Sequence, residues 1–205
     1  MIWGINNNER ISAIPHGNAT CPICNSKLIA KCGNIKIHHW CHKANKDCDN
    51  WYEPESEWHL NWKDEFPKEY QEFVMGNHRA DIRTKKRWII ELQNSAISQE
   101  EIKEREEYYK RMIWLLNGET LGKNLNIETR KNNYVTFKWK YFPKSWFKAE
   151  KEVYVDLGND TLLLIRKINN GKWSYEDPYG ETHYKKYSCS GWGYLISKQS
   201  FLKTF

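Results

Sequence analysis

Two groups of residues in this 205-residue chain have the types and spacing that metal chemistry requires. Five of the six cysteines lie between Cys21 and Cys48, interleaved with histidines. Further along the chain, Asp81 precedes Glu91 and Gln93 in strand-like sequence. Clustered thiols and imidazoles predict zinc, whereas neighbouring carboxylates predict Mg²⁺ or Mn²⁺.

The cysteine-rich segment contains a CxxC knuckle at 21–24 and a second pair of ligands at 39–42. Two close thiolates followed by two close imidazoles suit a tetrahedral Zn²⁺ ion. The leading ligand set is Cys21, Cys24, His39 and His42. The rivals for the last two places are Cys32, His38, Cys41 and Cys48. Because four protein ligands leave no open position for water, the sequence predicts a structural zinc.

Catalytic zinc fits this segment less well. A zinc nucleobase deaminase has H-x-E before P-C-x-x-C, whereas here the CxxC comes first, with Pro22 inside it, and no H-x-E follows. An HNH-type nuclease would need its histidines and asparagine on a ββα unit, which residues 38–50 match only loosely. Reduced cysteines without metal are the remaining alternative.

The carboxylates Asp81 and Glu91 fall on consecutive predicted strands, joined by a turn near Lys85-Lys86. Such a turn would bring both carboxylates to one end of a meander. Paired carboxylates hold Mg²⁺ or Mn²⁺, which activates water and stabilises charge on a phosphate. Gln93 shares the strand face of Glu91 and is placed to orient the water or the phosphate.

The elements that must position these residues follow from periodicity and capping signals. The predicted order is a helix over 53–66, strands over 69–75, 78–84 and 87–93, a helix from 98, and a strand over 113–116. Pro54 is placed in the first turn of the first helix, where proline is favoured. Trp58, Trp62 and Phe66 form the predicted buried stripe of that helix.

The first predicted helix adds three candidate site residues, Glu57, His59 and Lys63. Glu57 is a candidate third carboxylate, although a glutamate in a first turn is also stabilised by the helix dipole. The alternative interpretation of His59 and Lys63 is that they are solvated residues on the helix surface.

Beyond residue 119 the sequence changes to short β segments that are rich in aromatic residues and lysine. The segments are 134–139 and 161–165, with turns at 158–159 and 170–171. The prediction is an α+β fold with an α/β core. Its three regions are a zinc-binding segment (1–52), a nuclease-like core (53–120) and a β-rich region (121–205).

A set of motifs, in order along most of the chain, resembles the competence protein CoiA family. The motifs are Cys-Pro-x-Cys (21–24), Gly33, His-x-x-His (39–42), Glu-Ser-Glu-x-His-x-x-x-Lys (55–63), Arg-Ala-Asp-Ile (79–82), Glu-Leu-Gln-x-Ser (91–95), Ile97-Ser98, Glu104-Arg105, the strand with Trp114, and Ser197-Lys198-x-x-Phe201. The resemblance implies a PD-(D/E)XK nuclease-like domain with an N-terminal zinc element, in a family linked to DNA uptake and recombination.

For individual residues, the resemblance implies that Asp81 and Glu91 are metal ligands and that Gln93 stands where the motif usually has lysine. Glutamine removes a positive charge that would assist the attacking water or the transition state. Lys63 is the residue that would supply this charge from the helix. Mobile-element, phage and defence roles fit the short chain as well as transformation does.

Charge and composition bound the partners. A net charge of +6, with eleven Trp and twelve Tyr, fits a nucleic-acid partner, with DNA favoured. The absence of an 18-residue apolar run predicts no membrane span, and the N-terminal residues do not read as a signal peptide, so the expected location is the cytoplasm. The main function predicted is a metal-dependent nuclease. The alternatives are a nucleic-acid-binding or recruiting module with a degenerate site and a zinc-stabilised structural adaptor.

Overall fold

The computed structural model describes residues 1–33, 37–43, 48–176 and 178–205, and for residues 170–176 and 182–188 it describes the backbone alone. The chain divides into two compact units, Met1–Ile89 and Ile90–Phe205. The fold is α+β, as the sequence predicted, with strands predominating. Within the described ranges, none of the helices has the length and apolar character needed to span a bilayer.

The first unit begins with a small antiparallel sheet. Its strands are β1 (Trp3–Asn6), β2 (Glu9–Ser12), β3 (Asn18–Thr20), β4 (Lys27–Lys31) and β5 (His39–His42), in the spatial order β2-β1-β3-β4-β5. Trp40 of β5 packs with Met1, Ala19 and Leu28, all of which are buried. This core fixes the strands that carry the cysteine-rich turns.

The helix α1 (Glu57–Lys63) starts later than the prediction from Glu53. Ser56 is its N-cap: the Ser56 hydroxyl accepts from the His59 N–H, and the Ser56 N–H donates to His59 Nδ1 at 3.2 Å. Because this reciprocal cap fixes the helix start at Ser56, Pro54 lies before the helix and not in its first turn, where it was predicted. Trp62 and Phe66 are buried as predicted, whereas Trp58 is half-buried.

A 3₁₀ turn (Lys68–Tyr70) leads into the antiparallel hairpin of β6 (Gln71–Met75) and β7 (His78–Arg83), which confirms the first two predicted strands. The hairpin turns at Gly76, whose φ is +55°. Between the paired positions Gln71↔Ile82 and Phe73↔Ala80, the ladder is interrupted where Glu72 faces the position of Asp81. Glu72 has a φ of +44°, a left-handed conformation that non-glycine residues rarely adopt.

The described part of the second unit contains a larger sheet and three helices. Its elements are α2 (Gln99–Tyr109), β9 (Met112–Asn117), α3 (Gly118–Leu121), β10 (Leu125–Thr129), β11 (Tyr134–Lys140), a 3₁₀ turn (Lys144–Lys148), β12 (Glu152–Asp156), β13 (Thr161–Glu176), β14 (Thr182–Ser197) and α4 (Lys198–Thr204). The strand β8 (Ile89–Gln93) starts at the last residue of the first unit. From β8 onwards in the chain, the strands of this sheet lie in the order β10-β11-β14-β13-β12-β9-β8.

The two strands beside α2 are fully buried, which explains their apolar runs: every residue of β8 and of β9 is buried. The Ser98 hydroxyl accepts from the Glu101 N–H and caps α2, as predicted. The order helix, three strands, helix, strand is therefore present along the chain.

One predicted turn is wrong. Strand β13 continues through Asn170-Gly171 to Glu176: Asn170 pairs with Cys189 and Gly171 with Ser188, and a register shift follows between Gly171 and Trp173. The predicted turn at Gly158-Asn159 is confirmed by positive φ angles at both residues. The division into regions 1–52, 53–120 and 121–205 stays a prediction.

Candidate functional site

Four side chains of the first unit form a candidate metal centre: Cys21, Cys24, His42 and Cys48. Their ligand atoms all lie within 4.8 Å of one another. Cys21 Sγ is 3.6 Å from Cys48 Sγ, and Cys24 Sγ is 3.3 Å from His42 Nε2. Two sulfurs bound to one tetrahedral zinc stand about 3.8 Å apart, given Zn–S bonds of about 2.3 Å. The cluster therefore has the composition and spacing of a structural zinc site.

The CxxC turn is held by its own backbone. The Asn25 N–H donates to the Cys21 carbonyl at 2.9 Å, and the Cys21 N–H donates to the Ser26 carbonyl at 2.9 Å. The Ile23 N–H points to Cys21 Sγ at 3.4 Å. These bonds place both sulfurs at one end of the turn between β3 and β4.

The structure puts Cys48, one of the predicted rivals, where the leading ligand set had His39. Side chains alternate between the two faces of a strand, so His39 and His42, three positions apart on β5, point to opposite faces. Trp40 and His42 share the buried face, whereas His39 Nδ1 lies 2.7 Å from the Ile37 carbonyl. Among the described residues, His39 is outside the cluster, as are His38, Cys32 and Cys41.

The protonation of two of these thiols differs strongly. Hydrogen bonding from Ser26, and then from His42, lowers the pKa of Cys24 to about 6 despite some burial. Burial and the neighbouring Cys21 raise the pKa of Cys48 to about 12. A divalent cation would favour the thiolate form of both, so zinc binding is expected to release protons.

A second cluster in the first unit surrounds Lys63. Its Nζ lies 2.7 Å from Glu55 Oε1, 3.1 Å from Asp81 Oδ1 and 3.5 Å from Glu72 Oε1. The side chains of Lys63 and Glu72 are each 1% exposed and that of Glu55 is 8% exposed, whereas that of Asp81 is 22% exposed. Asp81 is therefore the carboxylate of this cluster that reaches solvent.

Burial and charge oppose each other in this cluster. Burial disfavours the Lys63 ammonium, but Glu55, Asp81 and Glu72 outweigh it and hold the pKa of Lys63 above its usual value. Burial also disfavours the Glu72 carboxylate, yet Lys63 and then Arg79 hold the pKa of Glu72 below its usual range. Burial raises the pKa of Glu55 against the attraction of Lys63. The result is a permanently charged lysine beside the solvent-accessible Asp81.

Glu72 also anchors the β1 strand to this cluster. Its carboxylate accepts the Ile2 N–H at 2.8 Å and the Trp3 N–H at 3.0 Å. These bonds account for a buried glutamate held in a left-handed conformation, because the surrounding contacts over-determine its position.

The structure places Glu57 and His59, two of the three candidates from the first predicted helix, in the first turn of α1. Glu57 is exposed in the first turn of α1, whereas Glu55, just before the helix, contacts Lys63. His59 is buried and caps the helix through Ser56, with Nε2 3.6 Å from Glu53. Although burial disfavours its charge, Glu53 and then Asp81 raise the pKa of His59.

The remaining candidates lie in the second unit. Glu91 is 3% exposed and accepts from Arg105 at 2.7 Å, and Arg105 also pairs with Glu101. Gln93 is also 3% exposed, and its amide donates to the Ser95 carbonyl at 3.2 Å. Gln93 Oε1 is buried without a hydrogen-bond partner among the described residues.

Comparison with known proteins identifies the family. The family model "Competence protein CoiA, N-terminal domain" matches residues 5–50, and "Competence protein CoiA, nuclease-like domain" matches residues 56–196, which is more than half of the chain. The chain belongs to the CoiA family. It is 46% identical over 43 residues to competence protein CoiA of Bacillus subtilis (strain 168), a stretch that covers 21% of this chain and 12% of that protein. No solved structure matches the chain significantly.

Sequence reasoning missed two carboxylates of this CoiA-family chain, Glu55 and Glu72. The sequence does mark Glu55, which begins the Glu-Ser-Glu motif, but the predicted helix start favoured Glu57 as the site carboxylate. The sequence does not mark Glu72, because nothing near it predicts the left-handed backbone conformation that turns its side chain towards Lys63.

Replacing Lys63 tests the charge balance of the cluster. Lys63→Met should destabilise the fold by about 3 to 5 kcal/mol at pH 7, because it leaves buried carboxylates without their cation. The loss should shrink as the pH falls below 4.5, the ordinary pKa of glutamate, since protonated carboxyls no longer need that cation. Urea unfolding at several pH values measures both effects.

The matched control is Lys103→Met on α2, where an exposed lysine lies 3.6 Å from exposed Glu107. That change should stay within about 0.5 kcal/mol. Equal stability of Lys63→Met and the native chain at pH 7 would contradict the buried ion-pair cluster.

Proposed function

We propose that this CoiA-family chain is a divalent-metal-dependent nuclease that hydrolyses phosphodiester bonds in DNA. The match to a nuclease-like domain supports this class of reaction. The observation that carries the proposal is the solvent-accessible Asp81 beside the buried, charged Lys63. An accessible carboxylate next to a fixed positive charge is suited to a phosphate and its metal ion.

In this proposal Asp81 and Glu91 are ligands of Mg²⁺ or Mn²⁺, and the metal ion supplies activated water and charge stabilisation. Asp81 belongs to the first unit and Glu91 to the second. The assignment of each residue as a metal ligand rests on the sequence motif and on the CoiA resemblance. The buried side-chain amide oxygen of Gln93, Oε1, offers a further acceptor, which would orient the attacking water.

Lys63 has a defined role in this proposal. Gln93 occupies the motif position that lysine usually fills, so the site lacks a cation there. The Lys63 ammonium lies 3.1 Å from Asp81 and stays protonated because three carboxylates surround it. It would therefore stabilise the negative charge that develops on the phosphate. The order of α1, β6, β7, β8, α2 and β9 supports assigning the core to the PD-(D/E)XK class.

The test is a cleavage assay of the purified chain on single- and double-stranded DNA and RNA. We expect cleavage of DNA when Mg²⁺ or Mn²⁺ is added and none when both are omitted. Omission is preferable to chelation, because a chelator would also remove structural zinc. Absence of cleavage with every metal and substrate would overturn the nuclease proposal.

A second candidate, a nucleic-acid-binding or recruiting module with a degenerate site, has its own observation. Both candidate ligands already face cations: Asp81 faces Lys63, and Glu91 faces Arg105. Such pairing neutralises the acids without any metal ion. A chain that binds DNA but never cuts it would fit this arrangement.

Binding to nucleic acid should weaken steeply as salt rises. Because the chain has a net charge of +6, its binding would release counterions from the phosphates. Log affinity should then fall by roughly 0.7 to 0.9 per tenfold rise in salt for each phosphate neutralised. Titrations at several salt concentrations measure this slope. A flat response, or no binding at low salt, would instead favour the structural adaptor.

A further inference from the structure

One face of the larger sheet carries partly exposed aromatic side chains that the proposed cleavage site does not use. Strand β11 alternates: Val135, Phe137 and Trp139 are buried in the core, whereas Tyr134 and Thr136 lie on the opposite face. This is the pattern of a strand that packs on one side and meets solvent on the other.

Three rings adjoin one another on that outer face. In the antiparallel pairing of β11 with β14, Tyr134 stands opposite Tyr194, and Thr136 stands opposite Trp192. The ring centroids of Tyr134, Trp192 and Tyr194 lie 5.7 to 6.1 Å apart. Tyr194 is 39% exposed, and the other two rings are half-buried. We call these three residues the aromatic platform.

The surroundings of the platform are polar and carry positive charge. A groove of about 300 Å³ beside it is lined by Tyr134, Trp192, Asn126, Lys138, Asn169 and Ser190. Lys138 is exposed there, and the exposed Lys167 pairs across β13 and β14 with Trp192. The acid of the groove, Glu128, lies 2.7 Å from Arg130, which offsets its charge.

We propose that the aromatic platform binds single-stranded nucleic acid by stacking its bases. The inference rests on the proposed function and deepens it by naming the substrate class. Aromatic faces on an open sheet stack with unpaired bases, while neighbouring lysines contact the phosphates and amides contact the base edges. A duplex keeps its base faces within its own stack, so it would use the platform poorly.

The test measures binding of a short fluorescent oligothymidylate to the full chain by anisotropy, at low salt and without Mg²⁺ or Mn²⁺. Trp192→Ala and Tyr194→Ala should each weaken binding by roughly 5- to 150-fold, the range expected for one lost stacking contact. Trp192→Phe should keep most of the affinity. Tyr179→Ala is the matched control, because Tyr179 is 92% exposed and outside the platform; its affinity should not change.

Thermal melts of each variant show whether weaker binding reflects a lost contact or a lost fold. If Tyr194→Ala unfolds, Tyr194→Leu is tested in its place. A matching duplex should bind more weakly and should not respond to Trp192→Ala. Oligouridylate is tested in parallel, because bases of both RNA and DNA can stack on the platform. The ratio of the two affinities shows which nucleic acid the platform prefers. The inference is overturned if folded Trp192 and Tyr194 variants bind normally, if the duplex binds equally well, or if no oligonucleotide binds.

These outcomes are distinguishable from failure of the nuclease proposal, because the assay needs no cleavage. Platform-dependent binding by a chain that never cuts would support the platform and reject the nuclease. Cleavage by a chain whose platform variants bind single strands normally would support the nuclease and reject the platform.

Discussion

Asp81→Asn is expected to reduce metal-dependent cleavage by more than about a hundredfold while the fold and the zinc site persist. Asparagine keeps the shape of aspartate but removes one charge from a site that must hold a divalent cation. A loss of this size is typical when a main electrostatic contribution to a transition state is deleted. The fold should persist because Lys63 keeps its contacts with Glu55 and Glu72.

Glu91→Gln should produce a loss of the same order. Its stability must be measured alongside its activity, because Glu91 is buried and accepts from Arg105. Glutamine retains an acceptor for that bond, and Glu101 still neutralises the arginine. Cleavage rates with Mg²⁺ and Mn²⁺, together with urea unfolding of each variant, separate lost metal binding from lost folding.

Gln93→Lys is the informative companion to these variants. If Gln93 occupies the place of the usual motif lysine, the substitution should be tolerated and cleavage retained. Glu57→Gln is the matched acidic control, because Glu57 is exposed on α1, and it should cut like the native chain. Normal cutting by both Asp81→Asn and Glu91→Gln would place the chemistry elsewhere, with the Cys/His region next to be tested.

The sequence predicted elements well where a signal is local. Ser98 and Glu101 mark the start of α2, and the apolar run of β9 marks a buried strand, so both were located closely. The start of α1 was missed because a histidine, rather than the usual Glu or Gln, completes its capping box. The predicted β13 was too short because Asn170-Gly171, a sequence typical of turns, is paired within the β13–β14 ladder instead.

The site was predicted less completely because its geometry depends on long-range contacts. The spacing of His39 and His42 suits two ligands on a turn, but pairing with β4 makes this segment a strand and turns His39 away. Lys63 could be a surface lysine from its spacing alone. It is buried because Glu55, eight residues earlier, and Glu72 and Asp81, on two later strands, meet at its ammonium.

The zinc site gives the second large expected effect. Elemental analysis should find about one zinc per chain, and Cys21→Ser or Cys48→Ser should lose it. Binding to a structural zinc site contributes directly to folding, by roughly 10 to 16 kcal/mol in small zinc domains. Cys21 is fully buried in the core of the small sheet, so loss of the metal should unfold β1 to β5. Circular dichroism and limited proteolysis would detect this unfolding.

The two histidines of β5 provide the sharpest comparison. His42→Ala should lose zinc like the cysteine variants, whereas His39→Ala should keep it, because the strand directs these side chains to opposite faces. Cys189→Ser is a control for thiol loss as such, since this buried cysteine lies in the second unit, outside the cluster. Retention of zinc by Cys48→Ser together with its loss from His39→Ala would restore the ligand set predicted from spacing. A zinc-free native chain of equal stability would exclude a structural metal altogether.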